Sequence, residues 1–263
     1  MSKIQAIIDE IEKVAPKFLK EDYDNVGMMV GDKDTEVTKV LMALDCTKKV
    51  IEEALSLGCE MIITHHPLFF RKPNRIVKGE LTGDKVLELI KNNINLYSCH
   101  TNLDSAQDGI NETVVRILGY ESQSIMETNK IKGYENCGIG RIIELEKSVK
   151  LDDVIDNVKK SLNIENLRVA RGCENVKIIA IINGSGHDYF EMAKNSGADC
   201  IITGDTTYHF VSDYKEMGIS IIDAGHFGTE YIAFIKTLEF LKDKFKDVEF
   251  IISKESKDPY EFV

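Results

Sequence analysis

The segment Ala54-Leu55-Ser56-Leu57-Gly58-Cys59-Glu60-Met61-Ile62-Ile63-Thr64-His65-His66 aligns without a gap on Ala193-Lys194-Asn195-Ser196-Gly197-Ala198-Asp199-Cys200-Ile201-Ile202-Thr203-Gly204-Asp205, sharing Ala, Gly, the Ile pair and Thr. Each copy reads as the end of a helix, a glycine cap and a short buried strand that stops at polar residues. Farther on, His100 precedes Asp104 by four positions and His226 precedes Glu230 by four, in the same order relative to the two copies. Two matches in one order favour duplication over coincidence. The expected fold class is therefore α/β, with two related α/β halves, mixed sheets and flanking helices.

At 263 residues the chain can hold two modest domains, each with a real core. Helical spacing of Ile4, Ile7, Ile8, Ile11 and Val14 predicts a helix ended by Pro16, and Val50, Ile51, Ala54 and Leu55 predict another closed by Gly58. Apolar runs at 40–44, 61–64, 94–97, 176–182, 200–203 and 219–222 predict strands, and 137–145 alternates as an edge or half-buried strand does. A long helix is expected over about 229–244. The polar stretch from Tyr120 to Gly133 marks the expected boundary, giving a first domain of 1–125 plus 235–263 and a second of 126–234.

Met61-Ile62-Ile63-Thr64 runs into two adjacent imidazoles and Pro67. Successive strand side chains point to opposite faces, so His65 and His66 share a centre only if the backbone leaves the ladder there. Pro67 favours that exit, because it has no amide hydrogen to give. Taken alone, a His-His pair is more simply read as polar residues at a strand end. The matching sets elsewhere shift the balance: His100 and Asp104 follow one strand, and His226 and Glu230 follow another, at the positions where α/β sheets gather ligands. If the halves face one another, His65, His66, Asp104, His226 and Glu230 form a mixture of imidazoles and carboxylates suited to zinc, iron or manganese. A bridging carboxylate can hold two such ions, which acidify a water to hydroxide at neutral pH.

His100, His209 and Asp205 also follow predicted strand ends. Each reads equally as a proton carrier or as a hydrogen-bond partner that orients a ligand. Asp45 and Asn25 read as turn residues, and His187 as a solvent-facing helix start. Asn183-Gly184-Ser185-Gly186 reads as a strand-to-helix turn rather than a phosphate cradle.

A formal net charge of -11 opposes nonspecific attraction to nucleic acid or anionic membrane, and no DNA-binding helix pattern is present, so direct nucleic-acid binding is not expected. Six cysteines with no CxxC spacing, several inside apolar runs, suit reduced core thiols. Without a signal-peptide pattern or an apolar run near the ~20 residues of a membrane span, the expected location is cytoplasmic.

Thr64-His65-His66-Pro67-Leu68-Phe69-Phe70, His100-Thr101-Asn102-Leu103-Asp104-Ser105 with Gly109 and Asn111, Gly204-Asp205 with His209, and Asp223-Ala224-Gly225-His226 with Glu230 together resemble the GTP cyclohydrolase 1 type 2 family, also called NIF-three-like. Asp22-Tyr23-Asp24-Asn25-Val26-Gly27 is similar to its N-terminal signature, with Tyr23 where the family commonly has Trp. The resemblance runs through nearly the whole chain and implies a two-domain α/β protein in a homohexameric ring, lacking the extra domain some members insert. It further implies two divalent metal ions per subunit. His66 and Asp104 would hold one, His65 and His226 the other, and Glu230 would bridge them. The implied activity is hydrolytic opening of a purine-nucleotide ring by metal-bridged hydroxide, with a small molecule such as a nucleotide as substrate. The alternative is a non-catalytic metal-handling or regulatory protein with the same ligands, since a shared site does not fix an activity.

Overall fold

A computed structural model describes all 263 residues, 1–263. The chain divides into two compact units, the first made of Met1–Leu103 and Phe234–Lys257, the second of Asp104–Ala233 and Asp258–Val263.

The first unit opens with α1 (Ile4–Val14), whose Ile4, Ile7, Ile8 and Ile11 are all buried, as their spacing requires. Strands β1 (Gly27–Val30) and β2 (Lys39–Ala43) follow. Helix α2 (Lys48–Leu57) starts at Thr47, whose side chain accepts from the Val50 amide, and stops at Gly58, which adopts the left-handed conformation at φ 70°. Next come β3 (Met61–Thr64), α3 (Leu81–Lys91) and β4 (Asn95–Ser98). The short α4 (Thr101–Ser105) leads into the second unit.

The second unit contains α5 (Ile110–Ile117), β5 (Ser124–Thr128), β6 (Gly138–Lys150), α6 (Leu151–Leu162), β7 (Arg168–Ala170) and β8 (Asn175–Ser185). It continues with α7 (Phe190–Asn195), β9 (Cys200–Gly204), α8 (Tyr208–Glu216) and β10 (Ser220–Asp223). Helix α9 (His226–Thr237), α10 (Leu241–Lys244) and β11 (Glu249–Ile252) complete the chain.

The two larger sheets share a core of three parallel strands with an antiparallel strand along one edge. In the first unit the order is β11-β2-β3-β4-β1, parallel except for β1, which runs antiparallel to β4. In the second it is β5-β6-β8-β9-β10-β7, where β8, β9 and β10 are parallel and β7 lies antiparallel on β10. Val40 pairs with Met61 and Ile179 with Cys200, the same separation along the chain in both units. The central strands are buried, apolar and β-branched, as parallel strands covered on both faces must be. The α/β class, the mixed sheets and the duplication are all present.

Several boundaries differ from the expectation. The polar stretch 120–133 is not simply a linker, because it contains β5, paired with β6. Strand β6 is interior rather than an edge, held between β5 and β8. The first crossing falls at Leu103 and Asp104 instead of at 125, because α5 packs on β6 and β8 with Ile110, Val114 and Val115 fully buried. The returning crossing falls at Ala233 and Phe234, and Asp258–Val263 groups with the second unit. Asn183-Gly184-Ser185 belongs to β8 rather than to a turn. The long terminal helix starts earlier, at His226, and breaks into α9 and α10. Helix α8 was not anticipated, since Tyr214 is its one buried residue and it leaves no apolar stripe to read.

No disulfide joins the six cysteines, and five are buried. Burial pushes the Cys46 thiol up to about 12 and the Cys59 thiol up to about 11, which keeps them protonated and inert.

Arg141 on β6 is 1% exposed and pairs through Nε with Glu112 Oε2 at 2.9 Å. Its Nη1 donates to the carbonyls of Gly138 and Gly140, each at 2.9 Å, and its Nη2 to that of Ala106 at 3.1 Å. The guanidinium thus ties the loop after α4 to the sheet. Arg141→Ala should destabilise the protein by on the order of 3–5 kcal/mol, because it strands a carboxylate and several carbonyls. Glu112→Gln, whose amide oxygen still accepts from Nε, should cost less. Chemical denaturation followed by circular dichroism compares the two.

Candidate metal-binding residues

In the first unit, β3 ends at Thr64, and the chain leaves the ladder there. The Thr64 hydroxyl meets Ser98 Oγ on β4 at 2.8 Å and donates to the His66 carbonyl at 2.9 Å, while the His66 amide donates to the Leu44 carbonyl at 3.0 Å. This bend lets His65 and His66 turn to a common region, with ring centroids 5.0 Å apart. His100, just past β4, lies 5.0 Å from His65 and 5.5 Å from His66 by the same measure. One ring nitrogen from each of the three lies within 4.8 Å of the others.

An oxygen faces Nδ1 of every one of these rings. Nδ1 of His65 meets the Cys99 carbonyl, that of His66 meets Asp45 Oδ1 and that of His100 meets Asp24 Oδ1, each at 2.9 Å. An acceptor there holds the proton on Nδ1 and leaves the Nε2 lone pair to bind a cation. Asp24 is itself strongly held. Burial tends to raise its carboxyl, but the His100 ring and two donors from Thr101 outweigh burial and bring it down to about 2.

In the second unit, His226 and Glu230 sit one turn apart on α9, with Nε2 3.0 Å from Oε2. Nδ1 of His226 meets Asp205 Oδ2 at 2.8 Å. Asp205 follows β9 with a left-handed backbone, φ 48°. Asp104 and Glu230 are 8% and 3% exposed. The Asn183 side chain at the end of β8 donates to Asp104 Oδ1 at 2.9 Å and reaches Glu230 Oε1 at 3.4 Å. Gly184 makes room for the carboxylate: it has φ +61°, and a Cβ there would stand 2.2 Å from Glu230 Oε1. At Gly204, where the first copy has His65, a Cβ would lie 2.6 Å from the carbonyl carbon of Gly225.

The structure therefore brings His65, His66 and His100 together in one unit and Asp104, Asp205, His226 and Glu230 in the other. His209 stands apart, exposed on α8 with its ring edge-on to Tyr208. His187 is half-buried, 5.2 Å from the Phe210 ring. Asn25 pins the Phe69 carbonyl at 2.8 Å, as a structural residue does. Asp45 is more than a turn residue, since it holds His66. Sequence reasoning missed the positioning roles of Asp24, Asp45 and Asn183. Asp45 and Asn183 follow buried apolar runs, so the strand-end rule marks their place, though not their tasks.

The donor types in each unit fit a transition-metal or zinc ion: imidazoles with the far nitrogen anchored in the first, an anchored imidazole and buried carboxylates in the second. Two related mixed-sheet units, each with side chains at its strand ends that could hold a metal ion, define a duplicated α/β protein. The chain matches Duf34/NIF3 (NGG1p interacting factor 3) over residues 2–259 and belongs to that family. A Clostridium perfringens relative named GTP cyclohydrolase 1 type 2 homolog is 54% identical over 99% of this chain and 100% of its own length. A relative of the same name from Clostridium acetobutylicum is 50% identical over 99% of this chain and 98% of its own. Among solved structures, a Staphylococcus aureus protein described as hypothetical superposes with a TM-score of 0.89 at 30% identity, covering 99% of each chain.

Gly184→Ala should lower the melting temperature more than Gly119→Ala. Both replace a glycine at positive φ, a change of about 1–2 kcal/mol, but a Cβ at 119 meets nothing within 4 Å. The excess loss, read by thermal denaturation, measures the pressure on Glu230.

Proposed function

We propose that this protein is a metal-dependent hydrolase acting on a purine nucleotide, with His65, His66, Asp104, His226 and Glu230 holding two divalent ions. The observation that carries this reading is the oxygen behind Nδ1 of His65, His66 and His226, which presets each ring as a ligand. The name of the two clostridial relatives, GTP cyclohydrolase 1 type 2 homolog, supports a nucleotide as the substrate class. When bound, the ions supply an acidified water and a Lewis acid. Within this reading, Asp45 and Asp205 keep the His66 and His226 rings in place. Asn183 orients Asp104 and Glu230, and His100, steadied by Asp24, moves a proton at its ring nitrogen. The exposed position of His209 supports no role beyond contact with an outer part of the substrate. The resemblance to the family carries the further proposal of six copies in a ring, which analytical ultracentrifugation tests.

One observation favours the metal-handling alternative. His100, expected to carry protons, has a ring nitrogen within 4.8 Å of those of His65 and His66. A third imidazole in that group would close a coordination position that a hydrolase keeps open.

Protein purified intact should retain divalent metal by elemental analysis. Asp45→Ala and Asp205→Ala should weaken its affinity roughly 10–100-fold in chelator competition, the usual effect of removing the group behind a ligand. Incubation of metal-loaded protein with GTP should release formate. Metal retention without turnover of any purine nucleotide selects the alternative, and failure to retain metal refutes both.

A further inference from the structure

Tyr23 and Phe70 are large aromatic side chains left 64% and 51% exposed. Their rings stack on each other, centroids 6.4 Å apart and planes 16° apart. The Phe70 ring also stands edge-on to His100, 5.5 Å between centroids at 72°. The pair is therefore continuous with the histidine group of the first unit. Its position is set by the same segments that build that group. Tyr23 immediately precedes Asp24, the carboxylate on His100 Nδ1. Phe70 follows Phe69, whose carbonyl is pinned by Asn25 and whose side chain packs on the core.

The chain beyond Phe70 adds charge of one sign. Residues 71–78 are all exposed and include Arg71, Lys72, Arg75 and Lys78 without a single acid. Arg75 is paired with Glu80 at 2.8 Å. Four cations in one short loop stand out in a chain whose formal charge is -11. A flat apolar face beside a cationic loop is complementary to a ligand that joins a planar ring to an anionic tail.

We infer that Tyr23 and Phe70 form a stacking platform for the heteroaromatic ring of a nucleotide, and that Arg71 and Lys72 take its phosphates. The inference rests on the nucleotide reading above and names the residues that would recognise that substrate. Stacking on Phe70 would bring the ring to the edge of the histidine group, where chemistry on the ring itself requires it to be.

Calorimetric titration of the metal-loaded full-length protein tests this, with GTP, guanosine and inorganic triphosphate as probes and elemental analysis of every variant. Phe70→Ala and Tyr23→Ala should each weaken GTP and guanosine by about ten-fold or more, and Tyr23→Phe should restore binding. Triphosphate should be indifferent to those changes. Arg71→Ala with Lys72→Ala should weaken GTP and triphosphate, increasingly so at low salt, while sparing guanosine. Bound metal should be the same throughout. Unchanged GTP affinity in the aromatic variants overturns the inference, as does a change in oligomeric state without a change in affinity, which would make the pair a subunit contact. Full metal content with no GTP binding sinks the platform and spares the metal centre. GTP binding that depends on Phe70 in protein that holds no metal does the reverse.

Discussion

An imidazole can serve as a metal ligand only when one nitrogen keeps its lone pair, and in this chain that condition is met by an oxygen behind the other nitrogen. It is met four times, by Asp24, Asp45, Asp205 and the Cys99 carbonyl. The acceptor behind His65 is the backbone itself. Cys99 directs its carbonyl at the ring because its amide donates to the Thr64 carbonyl at 3.0 Å, extending the pairing of β3 and β4 by one step. The orientation of that ring thus follows from strand register, and the register follows from the apolar residues that keep β3 and β4 buried.

The same dependence explains which parts of the molecule were legible. His65, His66, Asp104, His226 and Glu230 could be picked out as candidates because they follow apolar runs or repeat at a four-residue spacing, both local signals. Asp24 and Asp45 could not be assigned their tasks in the same way. Each acts on a ring 76 or 21 positions away, and nothing near either residue distinguishes a carboxylate that steadies an imidazole from one that closes a turn. Gly184 was hidden for a similar reason: its need for a missing Cβ comes from Glu230, 46 positions later, and not from the turn it was taken to form. The unit boundary raises a different point. Helix α5 has an ordinary amphipathic pattern, and a pattern says that a face is buried without saying against which sheet.

Duplication supplied the strand ends, and divergence decided what each end carries. Thr64 and Thr203, matched in the repeat, both tie a strand end to its neighbour: Thr64 through Ser98, Thr203 by accepting from the Gly186 amide at 3.2 Å. One residue later the copies part. His65 has space for an imidazole, whereas Gly204 lies against the backbone of Gly225 and has none. The second unit keeps its histidine at the start of α9, the counterpart of His100 in the repeat, where the helical spacing also places Glu230 on the same face.

Electrostatics gives that asymmetry a direction. The first unit presents imidazole rings, while in the second two buried carboxylates, Asp104 and Glu230, converge on a single amide of Asn183. Like charges drawn together away from water favour either a shared proton or a cation. An amide donor offsets only part of that repulsion, because it carries a partial charge. A divalent ion offsets it fully and, with imidazole nitrogens, also meets its preference for mixed nitrogen and oxygen ligands. Asp104, Asn183 and Glu230, with the His226 ring 3.0 Å from Glu230, therefore make a polar cluster whose chemistry suits a cation.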